Sequence, residues 1–195
     1  MIEKLLQLDT HLFLLINHSG TPLFDPVMRF LSSAWIWIPV FGYILYHQIR
    51  EQKQRAWVNL LILILVYVAS EQISNHLLKD TIQRLRPCHQ SDLAGQVRLV
   101  ARQCGGLYSF VSTHASNAFS MALFSLLLIK KNWYTISILI WAVLVSYSRI
   151  YLGVHFPGDV TGGIILGIIL AYTGFTVSKL ICTSHKPDNM TTLSL

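Results

Sequence analysis

Charge is what this chain has least of. Only 12% of its 195 residues are Asp, Glu, Lys or Arg, whereas 53% are hydrophobic and the mean hydropathy is +0.50. A soluble globular domain carries about 25% charged residues, so this composition excludes an ordinary water-soluble build and points to lipid. Acidic residues are the scarcer kind, nine against fifteen basic, for a net charge of +6. A basic balance can mark a nucleic-acid binder, but here the cations sit in short segments between apolar runs, as membrane proteins distribute them. No nucleic-acid partner is expected. No cleavable signal is expected either, because the first twenty residues lack a basic start followed by an unbroken apolar core. The length fits one domain.

A spanning helix needs about 20 mostly apolar residues. Segments at about 26–46, 56–79, 113–129, 133–148 and 158–182 qualify. The expected fold is therefore an all-α integral membrane protein, a bundle of five transmembrane helices, with Pro39 predicting a kink in the first. Ahead of them, residues 2–17 mix Ile2, Leu5, Leu6, Leu8 and Phe13 with Glu3, Lys4, Gln7 and Asp9. That pattern predicts an amphipathic helix lying in the headgroup region, or a short helix packed on the bundle. Residues 1–182 read as a single membrane-embedded domain, and 183–195 as a polar tail expected to be disordered.

The connections differ in kind. Segments 47–55 and 130–132 are short and basic, while 80–112 is long and polar. Five crossings put the ends of the second and fourth spans on the same face as the starts of the third and fifth. The opposite face carries Arg50, Lys53, Arg55, Lys130, Lys131, Lys179 and Lys186, against Arg84, Arg98 and Arg102 in the long loop. Once Lys79, Arg86 and Arg149 are set aside as site residues, the positive-inside bias places the long loop outside the cytoplasm. Cys88 and Cys104 both lie in that loop. In an oxidising compartment they would pair; the alternative is two free thiols.

Chemistry-bearing residues collect at span ends on this one face. They are Lys79, Arg86 and Pro87; then Val111, Ser112, Thr113 and His114; then Ser148, Arg149, His155 and Asp159. Each has a bland reading. Lys79 and Arg86 could snorkel at a membrane boundary, Ser112 could be an N-cap, and His155 with Asp159 could be a local pair opening a helix. Together they suit phosphoryl transfer. Cations stabilise the non-bridging oxygens, with arginine as a planar fork and lysine as a point charge. A helix start adds backbone N–H groups. One imidazole can attack phosphorus while a carboxylate orients it, and a second can protonate the leaving oxygen.

These motifs resemble those of the type 2 phosphatidic acid phosphatase superfamily, the lipid phosphate phosphatases. Lys79, Arg86 and Pro87 match its first motif, a lysine six residues before Arg-Pro. Val111-Ser112-Thr113-His114 stands where the second reads Pro-Ser-Gly-His. Ser148, Arg149, His155 and Asp159 match the third in full. The resemblance implies a phosphohistidine on His155, oriented by Asp159, with His114 as general acid. It implies that Lys79, Arg86, Ser112, Thr113 and Arg149 bind phosphate. No cofactor or metal is implied, and no carboxylate cluster stands by to hold magnesium. The implied substrate is a phosphorylated membrane lipid in the bilayer: undecaprenyl diphosphate or a lipid A phosphate first, then phosphatidylglycerophosphate or phosphatidate. Transfer to a lipid or sugar acceptor, and lipid binding without catalysis, are the alternatives.

Two departures from the pattern matter. Val111 replaces a stiffening proline, and Thr113 replaces a glycine that permits positive φ and close approach to ligand. Either the turn here is ordinary helix-start geometry or the pocket is shifted. Elsewhere, Glu71, Asn75 and Lys79 recur at a spacing of four, which puts them on one helix face, with Glu71 expected in an interhelical hydrogen bond. Gly158, Gly162, Gly163 and Gly167 predict tight packing of the last span.

Overall fold

Every long apolar run folds as helix, because a backbone in lipid must satisfy its own N–H and C=O groups. A computed structural model describes residues 2–101 and 103–184, so the tail beyond, expected to be disordered, lies outside the described residues. The helices are α1 (Ile2–His18), α2 (Asp25–Leu31), α3 (Ala34–Glu51), α4 (Ala56–Ile82), α5 (Thr113–Ile129), α6 (Asn132–Tyr151) and α7 (Pro157–Ser184). Among the described residues no strand forms, and the only sheet-like pairing is an isolated antiparallel bridge between Leu85 and Tyr108.

Helices α4, α6 and α7 are long and apolar enough to cross a membrane, and α2 with α3 would make a fourth span if taken as one bent unit. Helix α5, with 17 residues, falls short of the usual length of about 20. Its position explains why. Ala115, Ala118, Met121, Ala122 and Phe124 are almost wholly buried, so α5 stands in the middle of the bundle and faces other helices on most sides.

The closest approach is between α5 and α7. A Cβ placed on Gly163 would lie 2.5 Å from the Ser112 carbonyl oxygen, and one on Gly167 would lie 2.6 Å from that of Ser116. Only glycine lets the backbones meet there. Further along the helices from the motifs, Ile62, Val66, Met121, Phe124, Val145 and Ala171 fill the apolar core.

The bend in the first long apolar run is not at Pro39. Helices α2 and α3 meet at 61° across Ser32 and Ser33, where the Ser32 N–H closes the end of α2 on the Met28 carbonyl. Pro39 sits in the first α-helical turn after the 3-10 turn Ala34–Ile36. A missing N–H there removes no helical bond, so the ring is tolerated without a kink.

Helix α1 leaves Leu5, Leu8, Leu12 and Leu15 exposed and turns Phe13 and Asn17 inward. The Phe13 ring meets Phe156 edge-on at 5.2 Å. The Asn17 amide donates to the carbonyls of Tyr151 and Arg98, both at 2.9 Å, and its oxygen accepts the Arg98 N–H at 2.8 Å. The helix is thereby fastened to the end of α6, the turn after it and the long loop.

Candidate active site

The third motif occupies the turn between α6 and α7. Helix α7 opens at Pro157 with Phe156 preceding it, and Asp159 in its first turn accepts the Phe156 N–H on Oδ2 at 2.8 Å. This is the return half of a capping box. The same oxygen lies 3.5 Å from His155 Nδ1, with His155 2% and Asp159 0% exposed. That separation is long for a hydrogen bond. His155 Nε2 faces Arg86 Nη1 at 3.3 Å, and Arg86 also donates to the Val154 carbonyl at 3.2 Å. Burial, and then the charges of Arg86, Arg149 and Lys79, hold the His155 imidazole well below its ordinary pKa. At neutral pH the ring is uncharged.

Arg86 arrives on the long loop. Its N–H donates to the Leu107 carbonyl at 3.1 Å, and the Ser109 N–H donates to the Arg84 carbonyl at 2.7 Å. The Cys88–Cys104 disulfide closes this loop two residues further on. Cys88, His89 and Cys104 also bring their ligand atoms within 4.8 Å of one another. Two thiols joined to each other offer no thiolate to a metal, so the donor set does not fit one.

The second motif opens α5. Ser112 occupies the N-cap position, but its side chain makes no capping bond. Its N–H donates to the Asp159 carbonyl at 2.9 Å, which ties the second motif to the third. Thr113 is the first helical residue, without a positive φ, so the turn is ordinary helix-start geometry and does not need glycine. Its hydroxyl accepts from Lys79 Nζ at 2.8 Å and donates to Asn75 Oδ1 at 3.1 Å. Asn75 also accepts from Lys79 at 2.6 Å and donates to Glu71 at 2.9 Å. Asn117 of α5 donates to the other Glu71 oxygen at 2.5 Å. A polar ladder across α4 and α5 thus ends on the Lys79 ammonium.

His114 lies against the Ser32 backbone, within electrostatic reach of Arg149, His155 and Lys79. It borders a cavity of about 240 Å³ whose walls include Trp37, Phe41, Tyr67 and Glu71. Arg149 donates from Nη1 to the Ser32 hydroxyl. It also borders a larger cavity, about 650 Å³, with Arg29, Phe30, Ser32, Trp35 and Leu152. The bend between α2 and α3 therefore stands over both His114 and Arg149.

All eight residues for which the resemblance implies a catalytic or phosphate-binding role come to this end of the bundle, from four separate segments. Two others join them that motif reading does not select. Arg84 donates to Asp159 Oδ1 at 2.9 Å and to Asp9 Oδ2 at 2.6 Å, and Asp9 Oδ1 accepts the Gly158 N–H at 2.7 Å. One signal was available for Arg84. Successive side chains in extended chain alternate sides, so Arg84 and Arg86 share a side about the Leu85 bridge. Asp9, 75 residues away from Arg84, had none.

Comparison with known proteins agrees with this geometry. The model of the PAP2 superfamily matches residues 59–181. A lipid A 4'-phosphatase from Bacteroides thetaiotaomicron is 35% identical over 86% of this chain and 75% of its own length. An undecaprenyl-diphosphatase from Sulfolobus acidocaldarius is 31% identical over 91% of this chain and 82% of its own. Among solved structures, Aquifex aeolicus LpxE superposes with a TM-score of 0.66 at 28% identity, over 87% of this chain and 95% of that one. A Bacillus subtilis transmembrane PAP2-type phosphatidylglycerolphosphate phosphatase shares the fold, with a TM-score of 0.71 at 23% identity over 95% and 90%. With its three motifs drawn to one end of a helical bundle and a family match over most of that bundle, the chain belongs to the PAP2 superfamily of membrane phosphatases.

Proposed function

We propose that this membrane lipid phosphatase works through a phosphohistidine on His155. One observation carries the reading: Arg86 Nε, Arg149 Nε and Ser112 Oγ are buried without a protein partner among the described residues. An unpaired buried donor costs about 1–3 kcal/mol. A phosphoryl group would supply acceptors to all three, with Lys79 and the Thr113 N–H completing the cradle.

His155 Nε2 attacks phosphorus, the bond to the leaving oxygen breaks, and His114 gives that oxygen its proton. Asp159 keeps the proton of the attacking ring on Nδ1, which leaves the Nε2 lone pair for the attack. Water then adds to phosphorus and returns a proton to His114. The Nε2–phosphorus bond breaks and phosphate leaves.

For substrate, a lipid A phosphate comes first, because the chain covers three-quarters of a lipid A 4'-phosphatase at 35% identity. Undecaprenyl diphosphate is second, supported by the broad match to the Sulfolobus acidocaldarius diphosphatase. The cavity between the α2–α3 bend and Arg149, with Arg29 and apolar walls, suits an anionic headgroup whose tails stay in the bilayer. Counting α5 with the bent pair and the three long helices gives five crossings. Helix α1, with its leucines outward, would lie in the interface. The Cys88–Cys104 disulfide and the basic residues of the opposite connections support a site facing the periplasm or cell exterior.

The test is phosphate release by purified protein in detergent with added lipid and chelator. Lipid A, undecaprenyl diphosphate and phosphatidate are compared, alongside His155→Ala. Release that survives chelator and vanishes in the variant is expected. Release by the variant would remove the nucleophile.

A further inference from the structure

The carboxylate of Asp159 is held from two directions, and only one belongs to the recognised motifs. On its Oδ2 side stand the Phe156 N–H and His155 Nδ1. On its Oδ1 side stands Arg84 at 2.9 Å, whose other terminal nitrogen reaches Asp9 Oδ2 at 2.6 Å. The Arg84 guanidinium also lies over the Phe156 ring, 4.1 Å from its centroid. Asp9 completes the circuit through Gly158, one residue before Asp159. Arg84 and Asp9 are largely buried, at 17% and 13% side-chain exposure. A guanidinium bridging two carboxylates at these distances is rigid, since its nitrogens are fixed in one plane.

We infer that Asp9 and Arg84 are positioning residues for the catalytic pair: Asp9 fixes Arg84, Arg84 fixes Asp159, and Asp159 fixes the His155 ring. This makes α1 part of the catalytic apparatus, not merely an anchor in the headgroup region. The inference rests on reading His155 and Asp159 as nucleophile and orienting carboxylate.

The physical need for the pair is specific. Asp159 is wholly buried, and a buried carboxylate stays ionised only where cations and hydrogen bonds compensate it. Arg86, Arg149 and Lys79 have the phosphoryl group to hold. Arg84 is turned to the carboxylate face and has no such role. Without Arg84, Asp159 would lose its one charged partner at hydrogen-bond distance, keep only neutral donors such as the Phe156 N–H, and could take a proton, so that His155 would lose the carboxylate that selects its tautomer. Neither change alters the phosphate cradle. The loss should therefore fall on kcat and leave KM nearly unchanged.

The experiment measures kcat and KM for wild type, His155→Ala, Arg84→Gln, Arg84→Lys, Asp9→Asn and the Asp9→Asn, Arg84→Gln double variant. All are purified in detergent and checked for folding by thermal unfolding. Arg84→Gln is expected to lower kcat about 10- to 100-fold, the order typical of an outer orienting contact, at nearly constant KM. Arg84→Lys should recover part of that loss. Asp9→Asn should lose less, and its effect should disappear in the Arg84→Gln background, because both act through one contact. Unchanged kcat in Arg84→Gln overturns the inference, as does Arg84→Lys no better than Arg84→Gln, or independent multiplication of the two losses. If Arg84→Gln fails to fold, Asp9→Asn decides alone: a folded variant with wild-type kcat overturns it. An inactive wild type, or an active His155→Ala, would instead sink the reading of the pair itself.

Discussion

The two halves of this site treat their buried polar groups in opposite ways. On the carboxylate half, Asp159 is supplied by Arg84 and the Phe156 N–H. On the cation half, Arg86 Nε, Arg149 Nε and Ser112 Oγ have no partner among the described residues. Burial makes every unpaired donor costly, so a site that keeps three of them is organised around something that accepts. Burial equally makes a mobile carboxylate a poor guide for an imidazole, so Asp159 is held from both sides, with His155 Nδ1 facing it at 3.5 Å and bonded to nothing else among the described residues. In the proposed mechanism the binding groups are held ready, while the orienting carboxylate is already engaged.

The sharpest way to break this contrast is to delete the atom between the halves. His155→Ala removes the proposed nucleophile and leaves the cradle and the Arg84 and Phe156 contacts of Asp159 in place. Phosphate release should fall to background, with little change in thermal unfolding, because the side chain contributes no hydrogen bond that the helix start requires. Retained turnover would place the attacking group elsewhere.

Next in size is Arg149→Lys. A lysine keeps the charge but offers no planar fork for two oxygens. If the Arg149 donors serve the transition state, kcat should fall by about 10²–10³-fold, the range for losing a preorganised donor. Steady-state kinetics on one lipid substrate would check this. A rise in KM alone would mean that Arg149 binds the headgroup without aiding transfer. The corresponding change on the orienting half, at Arg84, is expected to be smaller.

Much of this division is legible in the sequence, and the reason is local. Lys79 to Arg86 and Arg149 to Asp159 are short spacings at helix ends, where the alternation of spans brings distant motifs to one face. The i, i+4 ladder of Glu71, Asn75 and Lys79 is likewise visible, because helix periodicity fixes it. The orienting half is only partly visible. Asp9 and Arg84 meet across 75 residues, through a packing of α1 that no local pattern dictates. The bend at Ser32 is hidden for another reason. Proline draws attention to position 39, whereas the chain turns at two serines whose backbone closes one helix and starts the next.

Thr113 tests whether the contrast extends to the lysine. Where glycine is the family residue, threonine here receives a hydrogen bond from Lys79 and passes one to Asn75. In the proposed cradle Lys79 is thus a binding group that is itself positioned. Thr113→Gly should cost activity modestly, on the order of tenfold for one hydrogen bond near 1 kcal/mol plus added backbone freedom. Thr113→Ser should stay near wild type. If Thr113→Gly matches or exceeds wild type, the hydroxyl is dispensable and Asn75 alone steadies the ammonium.

The smallest effect expected is a displacement in pH. His155 is pushed down first by burial and then by Arg86, Arg149 and Lys79, with the Asp159 carboxylate on its other side. It therefore stays neutral below its ordinary value near 6.5, and the acid limb of kcat/KM should lie below that pH. The sign of each neighbour's contribution can be tested. Removing a cation stabilises the protonated ring, so Arg86→Gln should move the acid limb to higher pH while lowering activity throughout. Comparing the variant with wild type on one substrate cancels the lipid phosphate's own titration. An acid limb that stays fixed would mean that the titrating group is not His155, even if His155→Ala is dead.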